Sequence, residues 1–134
     1  MRACVLDSDV VIAALDRSDA HHDSAAKAII EMTEAGVELV LSTVNYAETL
    51  VRPAGDERSL RTAVEAIRAL RVRLVAPSAS VAVEAARLRS LGVSLPDGFA
   101  LATAKAERAA VASFDRRVRR ALDPAGVELA PQLA

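Results

Sequence analysis

The chain has 134 residues, 52% hydrophobic and 26% charged, which suits one globular domain spanning residues 1–134 and excludes disordered and collagen-like classes. Its apolar runs fall far short of the roughly 20 residues of a membrane span, Asp7 and Asp9 interrupt the first apolar stretch as no signal peptide would, and the single cysteine, Cys4, allows neither an intrachain disulfide nor a cysteine zinc site. The net charge of −1 conceals a split, with nine acids against three basic groups in residues 1–50 and fourteen basic groups against nine acids in residues 51–134, so a cation site and an anion-binding surface can coexist.

In chain order, Ala3–Leu6 reads as a buried strand that leads straight into Asp7-Ser8-Asp9. Residues 21–36 read as a helix with Ala25, Ala26, Ile29, Ile30 and Met32 inward and Gly36 as its end. Val37–Leu41 is the second strand, and Thr43–Val51 a short helix stopped by Arg52-Pro53. An amphipathic helix over 57–70 turns Leu60, Val64, Ile67 and Leu70 inward. Val72–Val75 is a third strand, Ser78–Leu91 a helix ended by Gly92, and Asp97–Arg108 a helix preceded by Pro96. Ala109–Ser113 is the fourth strand, Asp115–Leu122 a helix that stops before residues 123–126, and Val127–Ala130 a candidate fifth strand. Strands alternating with helices predict an α/β fold: a parallel sheet of four or five strands with helices on both faces, in three layers.

Ligands in such folds bind beyond the carboxyl ends of the strands. Asp7 follows the first strand directly, Glu48 lies in the helix after the second, and Asp115 follows the fourth. Asp97 opens a helix that must run back from the same edge to feed the fourth strand. Each acid also has a structural role open to it: Asp7, Asp97 and Asp115 are good helix N-caps, and Glu48 can be a solvated helix residue. Four carboxylates in one pocket repel one another, and a hard divalent cation such as Mg²⁺ or Mn²⁺ removes that repulsion.

The segments Val5-Leu-Asp7-Ser-Asp9-Val-Val-Ile, Ser42-Thr-Val-Asn-Tyr-Ala-Glu48-Thr, Leu95-Pro-Asp97-Gly-Phe-Ala-Leu-Ala-Thr-Ala104 and Val111-Ala-Ser-Phe-Asp115 resemble the PIN domain, in the manner of the VapC toxins of bacterial toxin–antitoxin pairs. The resemblance covers nearly the whole chain in the family's order. It implies a PIN-like sandwich and an Mg²⁺- or Mn²⁺-dependent ribonuclease acting on single-stranded or looped RNA. It also implies a homodimer and neutralisation by a VapB-type antitoxin. By position, Asp7, Glu48, Asp97 and Asp115 match the family's four acids, with Ser8, Asp9 and Ser113 in support. Asp9 stands where the family more often has asparagine or serine, and Phe114 and the arginines after Asp115 also depart from the common form. Such an enzyme is expected in the cytoplasm.

Three alternatives compete. The opening Val5-Leu-Asp7-Ser-Asp9-Val-Val also resembles a haloacid-dehalogenase-type phosphatase, with Asp7 as nucleophile and Asp9 as acid/base, yet Lys27 and Lys105 are poorly placed for it and no acidic pair follows the third strand. A receiver-like signalling domain lacks its late lysine for the same reason. A catalytically inactive PIN-like binding module would leave four idle carboxylates repelling one another.

Beyond the acids, Arg116, Arg117, Arg119 and Arg120 crowd one short helix, where they can grip RNA phosphates or simply face solvent. Fifteen of the 17 basic residues are arginine, which suits phosphate contacts but also follows from GC-rich coding. Arg58, Arg61 and Arg68 fit a salt-bridged surface with Glu65. Phe99 and Phe114 are expected in the core, so no stacking platform for bases is foreseen. Adjacent His21 and His22 point to different sides of a helix and are expected at its start rather than on a metal, and Cys4 is expected to be a small buried hydrophobe.

Overall fold

Side chains alternate across a strand, and here the alternation divides the core in two. The structure, a computed structural model, describes residues 2–134. In β1 (Ala3–Leu6), Cys4 and Leu6 join one buried cluster and Val5 the other. In β2 (Glu38–Ser42), Leu39 and Leu41 take the first side and Val40 the second. In β4 (Ala110–Ala112), Ala112 takes the first and Val111 the second. With the exposed edge strand β3 (Arg73–Val75), they form a wholly parallel sheet in the order β3-β2-β1-β4. Its register pairs Val5 with both Val40 and Val111. A strand covered on both faces has no use for polar side chains, and β1 carries none.

The Cys4 face is covered by α1 (Ser8–Leu15), α2 (His22–Glu34) and α4 (Glu57–Ala69), with α3 (Thr43–Leu50) packing Tyr46 and Leu50 against them. The Val5 face is covered by α5 (Ala79–Leu88), α6 (Leu95–Glu107) and α7 (Arg116–Ala125). This is the expected three-layer α/β sandwich, the PIN-like fold, with four strands. Among the described residues no helix is long and apolar enough to cross a membrane.

Several local expectations change. The helix α1 follows β1 after a single residue, and its Val10-Val11-Ile12 run has a strand-like composition; Asp7 ends the strand and caps the helix at once. Ile30 is 56% exposed, because the inward spacing from Ala25 runs through Ala28, Ile29 and Met32. Strand β2 ends one residue later than expected, at Ser42, which also caps α3. The fifth strand does not form. Leu129 makes an isolated parallel bridge to Val111, held by Val111 N–H to Glu128 O (2.9 Å) and Ala130 N–H to Val111 O (2.8 Å). Pro131, which has no N–H, begins a 3₁₀ turn there instead. Helix α7 runs past Pro124 to Ala125, whose burial holds the last turn against the core. Helix α2 closes at Gly36 (φ 75°) as expected, while the helix expected to reach Leu91 is α-helical only to Leu88 and tightens into a 3₁₀ turn, Arg89–Leu91, that closes at Gly92 (φ 85°). Cys4 is buried as expected, and desolvation pushes its thiol up to about 12.

Candidate active site

β1 is the strand from which the sheet grows first through β2 and β3 and later, on its other side, through β4. The crevice at such a switch point is the favoured ligand site of open α/β sheets. Asp7 leaves β1 there, Ser42 and α3 leave β2, and Ser113-Phe114-Asp115 leave β4. Helix α6 begins at the same edge and runs back to β4, which carries Asp97 in its first turn.

Asp7 is 1% exposed. Its Oδ1 accepts from the Ser8 N–H (2.9 Å) and its Oδ2 from the Ser113 hydroxyl (2.7 Å). Ser8 therefore takes part through its backbone. The Ser113 hydroxyl also accepts from the Asp115 N–H (3.1 Å), so one buried serine links two of the acids. Asp115 is the N-cap of α7; its Oδ1 takes the N–H groups of Arg117 (2.7 Å) and Val118 (3.2 Å). The Asp9 Oδ2 accepts from the Phe114 N–H (3.0 Å), while its Oδ1 is buried with no partner. Asp97 is not the cap of α6. Ser94 is, accepting the Asp97 N–H (3.2 Å), and Asp97 sits three residues further in. A serine followed three residues later by an acid is a recognised helix start.

Electrostatics place the acids in one neighbourhood. Burial, then repulsion by Asp9 and Asp97, pushes Asp7 up to about 8. Burial raises Asp9 to about 6 against the Phe114 hydrogen bond, with Asp115 and Asp97 adding repulsion. Asp97 is raised by burial, and further by Asp115 and Glu48. Among the described residues no three of these groups stand arranged around a common metal position.

The family model for the PIN domain matches residues 4–122. The chain belongs to the PIN domain family. Solved structures agree in fold. VapBC-1 from nontypeable Haemophilus influenzae matches with a TM-score of 0.72 at 17% identity, over 98% of this chain and 99% of that one. FitAcB from Neisseria gonorrhoeae matches with 0.69 at 20%, over 96% and 97%. Mycobacterium tuberculosis VapC20, a Sarcin-Ricin loop cleaving toxin, matches with 0.70 at 16%, over 88% and 94%. No curated protein sequence matches significantly.

Within this PIN domain, sequence reasoning passed over Asn45, which is 0% exposed. Its amide nitrogen donates to Glu48 Oε1 (3.1 Å) and to the Pro96 carbonyl (3.0 Å), tying α3 to the start of α6 and fixing Glu48 beside Asp97. The spacing of three residues before Glu48 was the available clue; the contact with Pro96, 51 residues away, was not. Arg119 departs from its expected phosphate role: its Nε holds the Ser113 carbonyl (2.8 Å) and its Nη2 that of Leu133 (3.2 Å). Arg116, Arg117 and Arg120 remain exposed and form no ion pair among the described residues. Arg68 does pair with Glu65 (3.6 Å) as a surface bridge. Phe99 and Phe114 are only partly buried, each against the core, and Phe114 stacks on His21 with ring centroids 4.3 Å apart. His21 and His22 lie at the start of α2 as expected, His22 bonding the Ala13 carbonyl (2.8 Å).

Proposed function

We propose that this PIN domain is a divalent-metal-dependent endoribonuclease, the toxin of a toxin–antitoxin pair, which hydrolyses phosphodiester bonds in single-stranded or looped RNA. The observation that carries the reading is the group of mutually repelling carboxylates, Asp7, Asp9, Glu48, Asp97 and Asp115, at the switch point of the sheet. Family membership supports it, and so do fold neighbours described as a toxin–antitoxin complex and as a Sarcin-Ricin loop cleaving toxin. The phosphatase and receiver readings lose their ground with the PIN match.

The residues fit a hard cation. The donors are all oxygen, an orphaned buried oxygen (Asp9 Oδ1) lies among them, and Asp7 is held in a state that added positive charge would relieve. Asp7, Glu48, Asp97 and Asp115 would hold Mg²⁺ or Mn²⁺, with Asp9 an additional donor. When bound, the cation supplies Lewis acidity toward the phosphoryl group and activates water. The protein supplies the positioning: Ser113 orients Asp7 and Asp115, Asn45 orients Glu48, and Ser94 fixes the turn that carries Asp97. Arg116, Arg117 and Arg120, beside Asp115, are exposed for phosphate contact.

The test is cleavage of total RNA with Mn²⁺, followed by end mapping. Cleavage should vanish in EDTA and in Asp7→Asn, whose fold circular dichroism should find intact; full activity in either refutes the reading.

A VapB-type antitoxin and a homodimer complete the proposal. An acidic crevice open to a phosphate with its cation is also open to a guanidinium, which a carboxylate binds with directional, charge-assisted hydrogen bonds. An antitoxin arginine among these acids would exclude the metal, so each must weaken the other's binding by the same factor. Antitoxin affinity should fall across a Mn²⁺ series at fixed ionic strength; an unchanged affinity refutes this mode of control. Light scattering should find two copies of the free chain per particle.

A further inference from the structure

A groove of about 360 Å³, within the size range of small-ligand sites, is lined in part by Phe114, the residue before Asp115. His21, Lys27 and Glu31 line it from one face of α2, and Phe114, Arg119 and Gln132 line it from the other wall. Three features set it apart from ordinary surface. First, His21 occupies the N-cap position of α2, where a Ser, Thr, Asp or Asn would bond the free N–H groups, yet its ring makes no cap bond and lies flat on Phe114, 8° from parallel. His21 is exposed and lines the groove, so its ring can be reached from there. Second, the Gln132 Oε1 is buried in the wall without a hydrogen-bond partner. Third, Lys27 is 79% exposed at the rim, with Glu31, at 3.8 Å, its only ion-pair partner among the described residues. The stack is joined to the acids through the backbone: Phe114 lies between Ser113 and Asp115, and its N–H is bound by Asp9.

We infer that this groove holds one unpaired nucleotide next to the scissile position, its base stacked on the ring of His21 and its phosphate met by Lys27. The inference rests on the ribonuclease reading and names how that site grips its substrate. An aromatic face accepts any base, and unpaired nucleotides are the form of RNA whose bases can splay onto such a face. Arg119 is fixed by two carbonyls and forms part of the wall. The pairing of His21 with Phe114 joins two residues 93 positions apart, so no local pattern in the chain announces it.

The test uses a short single-stranded RNA of mixed sequence carrying 2-aminopurine at each position in turn, in EDTA so that nothing is cut. Wild type should bind it and quench the probe at one position. His21→Ala should lose that quenching and about tenfold in affinity, with unchanged circular dichroism, and His21→Phe should restore both. Lys27→Gln should weaken binding and reduce its salt dependence. If wild type cleaves RNA with Mn²⁺ while His21→Ala binds and quenches as wild type does, the stacking site falls and the ribonuclease reading stands. Failure of His21→Phe to restore quenching also overturns it. If wild type neither binds nor cuts RNA, both readings fall together.

Discussion

Replacing Asp7 by asparagine should stabilise the metal-free protein, and only above mildly acidic pH. In the fold the Asp7 carboxyl is moved from 3.8 to about 8, first by burial and then by repulsion from Asp9 and Asp97. A raised carboxyl binds its proton more tightly in the native than in the unfolded state. Between pH 4 and 8 the native chain therefore holds more protons, and stability falls as pH rises through that window. At about 1.4 kcal/mol per pKa unit, full ionisation would oppose folding by on the order of 5 kcal/mol. Asparagine removes the charge and retains capping ability close to that of aspartate. Its amide presents an NH2 where the carboxylate presents Oδ2, however, so the Ser113 hydroxyl must turn to accept there instead of donating. One imperfect buried hydrogen bond returns about 1–3 kcal/mol. The expected net gain is about 2–4 kcal/mol at pH 8, turning into a loss of about 1–3 kcal/mol near pH 4. Urea denaturation from pH 4 to 9 in EDTA would measure both curves. A wild type whose stability is flat or rising across this window, or an Asp7→Asn variant less stable at pH 8, would refute the reasoning.

Gly98→Ala should destabilise by about 1–2 kcal/mol despite the better helix propensity of alanine, because the new Cβ would stand 2.9 Å from the Ala85 carbonyl oxygen, a backbone atom of α5 that cannot rotate away; thermal unfolding checks it, and a stabilised variant contradicts the packing. Asn45→Ala should weaken Mn²⁺ binding about tenfold or more, as loss of an orienting partner does, by freeing Glu48 and unpairing the Pro96 carbonyl; calorimetry that finds wild-type affinity would deny Asn45 that role. Arg108→Gly should stabilise by about 1 kcal/mol, since Arg108 ends α6 at φ 52°; chemical denaturation reads it, and a loss of stability would point to an unrecognised side-chain contact. Metal binding should release protons, since Asp7 and Asp9 are raised to about 8 and about 6 and must ionise to bind; Mn²⁺ calorimetry near pH 6 in buffers of different ionisation enthalpy should therefore disagree, and identical enthalpies would exclude the coupling.

What the sequence determined by itself is what local pattern encodes. Apolar runs bounded by turn residues marked β1, β2 and β4, 3.6-residue spacing marked α2 and α4, and the order of strands and helices implied a parallel sheet whose one edge collects Asp7, Glu48, Asp97 and Asp115. That inference needs only the rule that parallel strands share a direction, so no contact had to be known. Only the tertiary structure decided which groups meet. Ser113 reaches Asp7 across 106 positions, the Phe114 N–H reaches Asp9 across 105, and Asn45 reaches Pro96 across 51. These bonds depend on strand register and helix rotation, and periodicity carries neither. The same limit explains the errors. Arg119 looked like its exposed neighbours because charge pattern cannot reveal that two buried carbonyls need a donor. Val127–Ala130 looked like a strand because its apolar run cannot reveal that the chain turns away at Pro131 after one bridge. The Asp7 carboxyl, finally, is an ordinary aspartate in the sequence; its raised pKa exists only because folding buries it beside Asp9 and Asp97, where water no longer screens the charge.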